Sequence, residues 1–113
     1  MDLRTLVASI LASITTGDAN TIYALALVAR DELGLNLEIS PMAVEETLRR
    51  LAEEGYVAEY EEMALDLSKK VKKYIITDKV KELAKPLPPK TQRLAKLRYV
   101  PPTFYYLLNQ STR

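Results

Sequence analysis

Residues 40–57 read "SPMAVEETLRRLAEEGYV". Ser40 before Pro41 marks a helix start. The hydroxyl accepts a first-turn N–H, and proline at the first helical position lacks only a donor that has no partner there. Val44, Leu48 and Leu51 recur at helical spacing and mark the stripe that faces a core. Glu45 and Glu46 lie in the first two turns, where the positive end of the helix dipole favours them. Gly55 supplies the left-handed residue that ends the helix. "YVAEY" then reads as a strand, and "VKKYIIT", rich in β-branched and aromatic residues, as its antiparallel partner. Between them "EEMALDLSKK" is too long for a tight turn. The alternation of Met63, Leu65 and Leu67 carries the strand toward a tip near Ser68 and Lys69.

Two helices precede this unit. Residues 2–14 place Leu3, Leu6, Val7, Ile10, Leu11 and Ile14 on one stripe, opposite the small residues Thr5, Ala8, Ser9, Ala12 and Ser13. Small residues permit close approach of another helix. Gly17 breaks the pattern. A second helix over about 20–33 follows, capped by Asn20 or Asp18 and stopped by Gly34. It carries Ile22, Leu25, Ala26, Ala29 and Leu33 on one face, broadened by Tyr23, Leu27 and Val28. "LNLEI" alternates Leu35, Leu37 and Ile39, which predicts a very short strand over 37–39. After "VKKYIIT", Thr77 is placed to cap a fourth helix, "DKVKELAK", ended by Pro86. The order is helix, helix, short strand, helix, strand, loop, strand, helix.

Residues 87–113 differ in kind. Four of the six prolines fall there, as Pro88–Pro89 and Pro101–Pro102, and proline pairs favour extended chain without sheet bonding. "KTQRLAKLRYV" between them predicts a short basic helix. "TFYYLLNQ" is apolar enough to pack on the domain or on a second subunit.

The side-chain inventory narrows the chemistry. There is no cysteine and no histidine, which removes disulfides, thiolate chemistry, imidazole or thiolate zinc sites and most nucleophile–base pairs. Gly17, Gly34 and Gly55 all fall at proposed helix ends, so no glycine loop cradles a phosphate. The carboxylates of "EYEEM" lack the Asp/Asn-Gly loop of a calcium site. No enzymatic activity, cofactor or metal is expected. Scarce Cys, Asn and Gln with abundant Lys and Glu resemble a hyperthermophile composition.

Charge is divided along the chain. Residues 1–62 hold four basic and twelve acidic side chains, a net −8. Residues 63–113 hold twelve basic and three acidic, a net +9. This asymmetry points to a polyanion partner for the second half, to attraction between the halves, or to a merely solvated tail.

"SPMAVEETLRRLAEEGYVAEY" with "KKYIITDKVKEL" resembles the winged helix-turn-helix superfamily, in particular the PadR-like and MarR-like groups of small archaeal and bacterial regulators. The resemblance covers about residues 1–85; residues 86–113 form an extension for packing or dimerisation. It implies an α+β, mainly α, winged helix-turn-helix fold and a DNA-binding transcription regulator. In DNA-reading members the third helix enters the major groove, which here presents Met42, Ala43, Glu45, Glu46, Arg49 and Arg50. Arg49 or Arg50 is suited to a bidentate guanine contact and a Glu to a cytosine amino group. The same residues also fit Glu45–Arg49 and Glu46–Arg50 pairs on a solvated face. Lys69, Lys70, Lys72 and Lys73 on the wing are suited to phosphates, or to guarding a strand edge. Lys85, Lys90, Arg93, Lys96 and Arg98 extend the phosphate track or balance the acidic half across a dimer.

The expected partners are double-stranded DNA and a second copy of the chain. The homodimer is motivated by the small-faced first helix and the apolar tail. The acidic third helix equally fits a protein-docking winged helix, and an architectural protein that coats DNA without sequence choice is a further alternative. No apolar run reaches the roughly 18 residues of a membrane span and no signal peptide is visible. A cytoplasmic protein, nucleoid-associated if it binds DNA, is expected.

Overall fold

A computed structural model describes residues 1–99, apart from the side chains of Arg98 and Tyr99; "TFYYLLNQ" and the second proline pair lie outside these residues. Four helices and a three-stranded antiparallel sheet make an α+β, mainly helical fold. In chain order these are α1 (Leu3–Ile14), β1 (Thr16–Gly17), α2 (Ala19–Leu33), α3 (Pro41–Glu53), β2 (Val57–Met63), β3 (Lys70–Ile76), a 3-10 turn (Asp78–Glu82) and α4 (Pro89–Tyr99).

The helix ends follow local chemistry. Asp2 caps α1, accepting the Thr5 N–H at 2.8 Å, and that N–H holds its carboxyl below the usual range. Asp18 caps α2 through the Thr21 N–H at 2.8 Å, and Ser40 caps α3 through the Ala43 N–H at 3.1 Å. Gly34 and Gly55, at φ 66° and 85°, take the left-handed turns after α2 and α3.

Leu6, Ile10, Leu11 and Ile14 of α1 meet Ile22 and Leu25 of α2 and Val44, Leu48 and Leu51 of α3 in one core. Each such side chain contributes about 1.5–3 kcal/mol on burial. Val57, Tyr74 and Val80 close the core from the sheet side.

Three expectations are corrected. Residues 37–39 form no strand: Leu37 and Ile39 turn onto the core, but no ladder forms. The third strand is instead Thr16–Gly17, which pairs Thr16 with Ile75 and Gly17 with Tyr74. Thr15, at φ 70°, ends α1 and turns the chain beside β3, where its carbonyl accepts the Ile76 N–H at 3.1 Å. The helix expected after Thr77 is only a 3-10 turn over Asp78–Glu82. The Thr77 hydroxyl does not cap it. It donates to the carbonyls of Gly55 at 2.7 Å and Tyr56 at 3.0 Å, joining the end of β3 to the start of β2.

Beyond Pro86 the chain returns to the core. Leu87, Thr91 and Ala95 are buried, and α4 packs against α1 and α2. The small face of α1, which motivates a dimer in the sequence, is in part covered within the same chain. Ala8 and Ser9 are buried, and Ser9 Oγ accepts the Lys85 N–H at 2.8 Å.

Candidate functional site: the groove between α3 and the hairpin

The outward side of α3 is largely polar because its buried apolar positions, Val44, Leu48 and Leu51, fall on one stripe, with Met42 left outside it. The β2–β3 hairpin projects beside it, and the two enclose a groove of about 700 Å³. Met42, Glu45, Glu46 and Arg49 line it from α3, Lys69, Lys70 and Lys72 from the hairpin. Of the helix and hairpin residues singled out in the sequence, Ala43, Arg50 and Lys73 are not part of its lining. Asp18, Ala19, Asn20, Glu59, Val71 and Tyr74 complete the lining. Met42 is 77% exposed.

Strand geometry separates the lysines that the sequence runs together. Successive side chains on a strand point to opposite faces. Lys70 and Lys72 share a face with Tyr74, opposite Met63, Glu61 and Glu59 respectively, whereas Lys73 lies opposite Tyr60. Each of the three meets a carboxylate diagonally across the ladder. Lys70 lies 3.7 Å from Glu61, Lys72 lies 3.4 Å from Glu59, and Lys73 pairs with Glu62. The hydrogen bond to Glu62 raises the Lys73 pKa. Lys69 makes no ion pair among the described residues.

On α3, Glu46 and Arg50 pair at 3.0 Å, as the spacing implies. The Glu45–Arg49 pair does not form. Arg49 is held by Glu53 at 2.8 Å and Glu46 at 3.6 Å, one turn to either side, and Glu45 stays unpaired among the described residues. Burial pushes the Tyr74 phenol up, and the negative charges of Glu59 and Glu45 add to that.

The lining is electrically balanced, with four acids (Asp18, Glu45, Glu46, Glu59) and four bases (Arg49, Lys69, Lys70, Lys72). Residues 41–76 as a whole hold eight acids and six bases, a net −2. Sequence reasoning missed Glu59, Glu61 and Glu62 as counter-ions. Their signal was present: "EYEE" opposite "KKVKK" in an antiparallel hairpin is a pattern of cross-strand charge pairs.

The hairpin tip carries further features. Leu65 is 99% and Leu67 70% exposed, and Leu67 sits at φ 59°, a rare conformation for leucine. Asp66 accepts the Ser68 hydroxyl at 2.6 Å and the Ser68 N–H at 3.0 Å, and these donors lower its pKa.

No helix among the described residues is long and apolar enough to cross a membrane. Comparison of the chain with family models, with curated proteins and with solved structures finds no match.

Proposed function

We propose that this chain is a winged helix-turn-helix protein that binds double-stranded DNA, with α3 in the major groove and the β2–β3 hairpin as the wing. The observation that carries this reading is the placement of an outward polar helix face beside a hairpin. Met42, Glu45, Glu46 and Arg49 border the same groove as Lys69, Lys70 and Lys72. A helix fits a major groove about 12 Å wide, and the hairpin lies where it can follow the flanking backbone.

The ion pairs on α3 do not forbid this. Each is exposed and contributes about 0.3–0.5 kcal/mol, whereas a good bidentate guanine contact is worth about 1–3 kcal/mol. Arg49 and Arg50 therefore gain by exchanging partners at the right sequence. The net −2 of residues 41–76 has the opposite effect on random duplex. This face is suited to discrimination rather than to general attraction. A transcription regulator that reads half-sites as a homodimer is the corresponding role, with half-site centres about 34 Å apart.

The balanced lining favours a second reading, a winged helix that docks a protein of mixed charge. Selection of enriched duplexes, followed by competition between the selected and scrambled sites, separates the two. A selected site that outcompetes its scramble, with the preference lost in Arg49→Ala, supports DNA reading. No enrichment, with binding insensitive to α3 and hairpin substitutions, removes it and leaves protein docking.

A further inference from the structure

Three of the four hairpin lysines face carboxylates, so apart from Lys69 the unpaired positive charge of the described chain lies elsewhere. Residues 77–97 carry six bases (Lys79, Lys81, Lys85, Lys90, Arg93, Lys96) and two acids (Asp78, Glu82). None of the six forms an ion pair among the described residues. Lys79 is engaged internally. Its ammonium donates to the Glu54 carbonyl at 2.8 Å and sits 4.5 Å from the centre of the Tyr56 ring. The other five are exposed.

α4 contains no acidic residue. Thr91 and Ala95 are buried on its inner side. Helical periodicity then turns Arg93 and Lys96 outward and puts Lys90 at the border. The carboxylate against this helix is Glu32, which is engaged by the N–H groups of Lys90 and Thr91 and also feels the Lys90 charge, so Arg93 and Lys96 are the bases without a facing acid among the described residues.

This face does not continue the α3–hairpin groove, whose lining ends at Tyr74. Arg4 joins α1 to the end of α3 by donating to Glu54 at 3.1 Å, and Ser9 joins α1 to the lead-in of α4 at Lys85. The two attachments are about 140° apart around α1, so the lead-in of α4 lies on a separate flank from the end of α3.

We propose that the solvent face of α4, led by Arg93 and Lys96 with Lys90 beside them, is a second nucleic-acid contact. It holds the phosphates of duplex DNA and reads no bases. The three bases span about 9 Å of helix, against a duplex that carries one charge per about 1.7 Å. Lysine is depleted at protein–protein interfaces, which are instead enriched in aromatic residues, methionine and arginine; among the described side chains of α4 the exposed large apolar one is Leu97. The assignment goes beyond the reading of α3 and does not require it.

The test is anisotropy titration of a random-sequence duplex by the full chain between about 50 and 200 mM salt. In K90A/R93A/K96A the slope of log affinity against log salt should fall by about 2 to 3, with all sequences weakened alike. The charge-preserving variant K90R/R93K/K96R should keep the wild-type slope, which separates charge from any effect on folding. An unchanged slope in the alanine variant overturns the assignment. So does a wild type that binds poly-glutamate but no duplex. If the α4 variant loses affinity for random duplex while R49A/R50A and the hairpin variants leave the preference for a selected over a scrambled site unchanged, the α4 contact stands and the reading of α3 falls.

Discussion

The carboxylate of Glu32 accepts the backbone N–H of Thr91 at 2.8 Å. The same oxygen takes the Thr91 hydroxyl at 2.9 Å, and its partner oxygen takes the Lys90 N–H at 2.9 Å. A side chain near the end of α2 thus does for α4 what Ser40 does for α3. Burial raises the Glu32 pKa, but these donors outweigh it and hold the carboxyl below its ordinary value of 4.5. A folded-state pKa below the unfolded one gives stability that is present above the unfolded pKa and is lost as pH falls through the folded pKa. Glu32→Gln keeps one acceptor and loses the charge. It should melt below wild type near neutral pH, and the gap should narrow as pH falls through the folded-state pKa of Glu32. Thermal melts of the two proteins across that range check this.

Ser9 is the other tie between α4 and the body. Its hydroxyl donates to the Thr5 carbonyl at 2.7 Å and accepts the Lys85 N–H at 2.8 Å. Ser9→Ala leaves that N–H without its partner and should lower stability by about 1–2 kcal/mol. Urea unfolding should show an earlier midpoint at an unchanged slope.

The carboxylates beside the hairpin lysines should oppose phosphates. At roughly 8 Å in water each acid repels a unit charge by about 0.5 kcal/mol. Replacing Glu59, Glu61 and Glu62 by Gln should therefore tighten binding of random duplex by about tenfold at low salt. Lys69→Ala should weaken binding more than Lys73→Ala, because Lys69 has no counter-ion among the described residues and Lys73 is paired with Glu62 on the far face. A ranking in the reverse order would count against the hairpin as the phosphate contact.

Arg49 and Arg50 should separate in the same assays. Arg49 borders the groove and Arg50 does not. Arg49→Ala should weaken a selected site by about 1–3 kcal/mol, Arg50→Ala by less, and neither should alter random-duplex binding much. Competition between selected and scrambled duplexes measures the difference.

The helices were legible because their signals are local. Ser40, Pro41 and Gly55 bound α3 in both sequence and structure, and Val44, Leu48 and Leu51 face the core as their spacing implies. β1 was not legible, since two residues of connector carry no periodicity. The cap of α4 was hidden for a different reason: Glu32 lies 58 positions before Lys90, and only the folded chain brings them together. The groove was half legible. The sequence named most of its charged lining, but a run of lysines says nothing of strand faces, and Glu59, Glu61 and Glu62 entered only with the hairpin register.

β1 bears on how the hairpin carries force. Thr16 and Gly17 pair with Ile75 and Tyr74, Thr16 Oγ1 and Tyr60 Oη share a hydrogen bond of 2.6 Å, and Thr77 binds the Gly55 carbonyl. All these fixings lie between the root and the middle of the hairpin. Farther out, β2 and β3 pair only with each other among the described residues. The hairpin is a beam built in at one end, with Leu65 at its free end. A load at that end bends the beam and delivers its torque to the connector between α1 and α2. Whatever grips the tip pulls on Thr16.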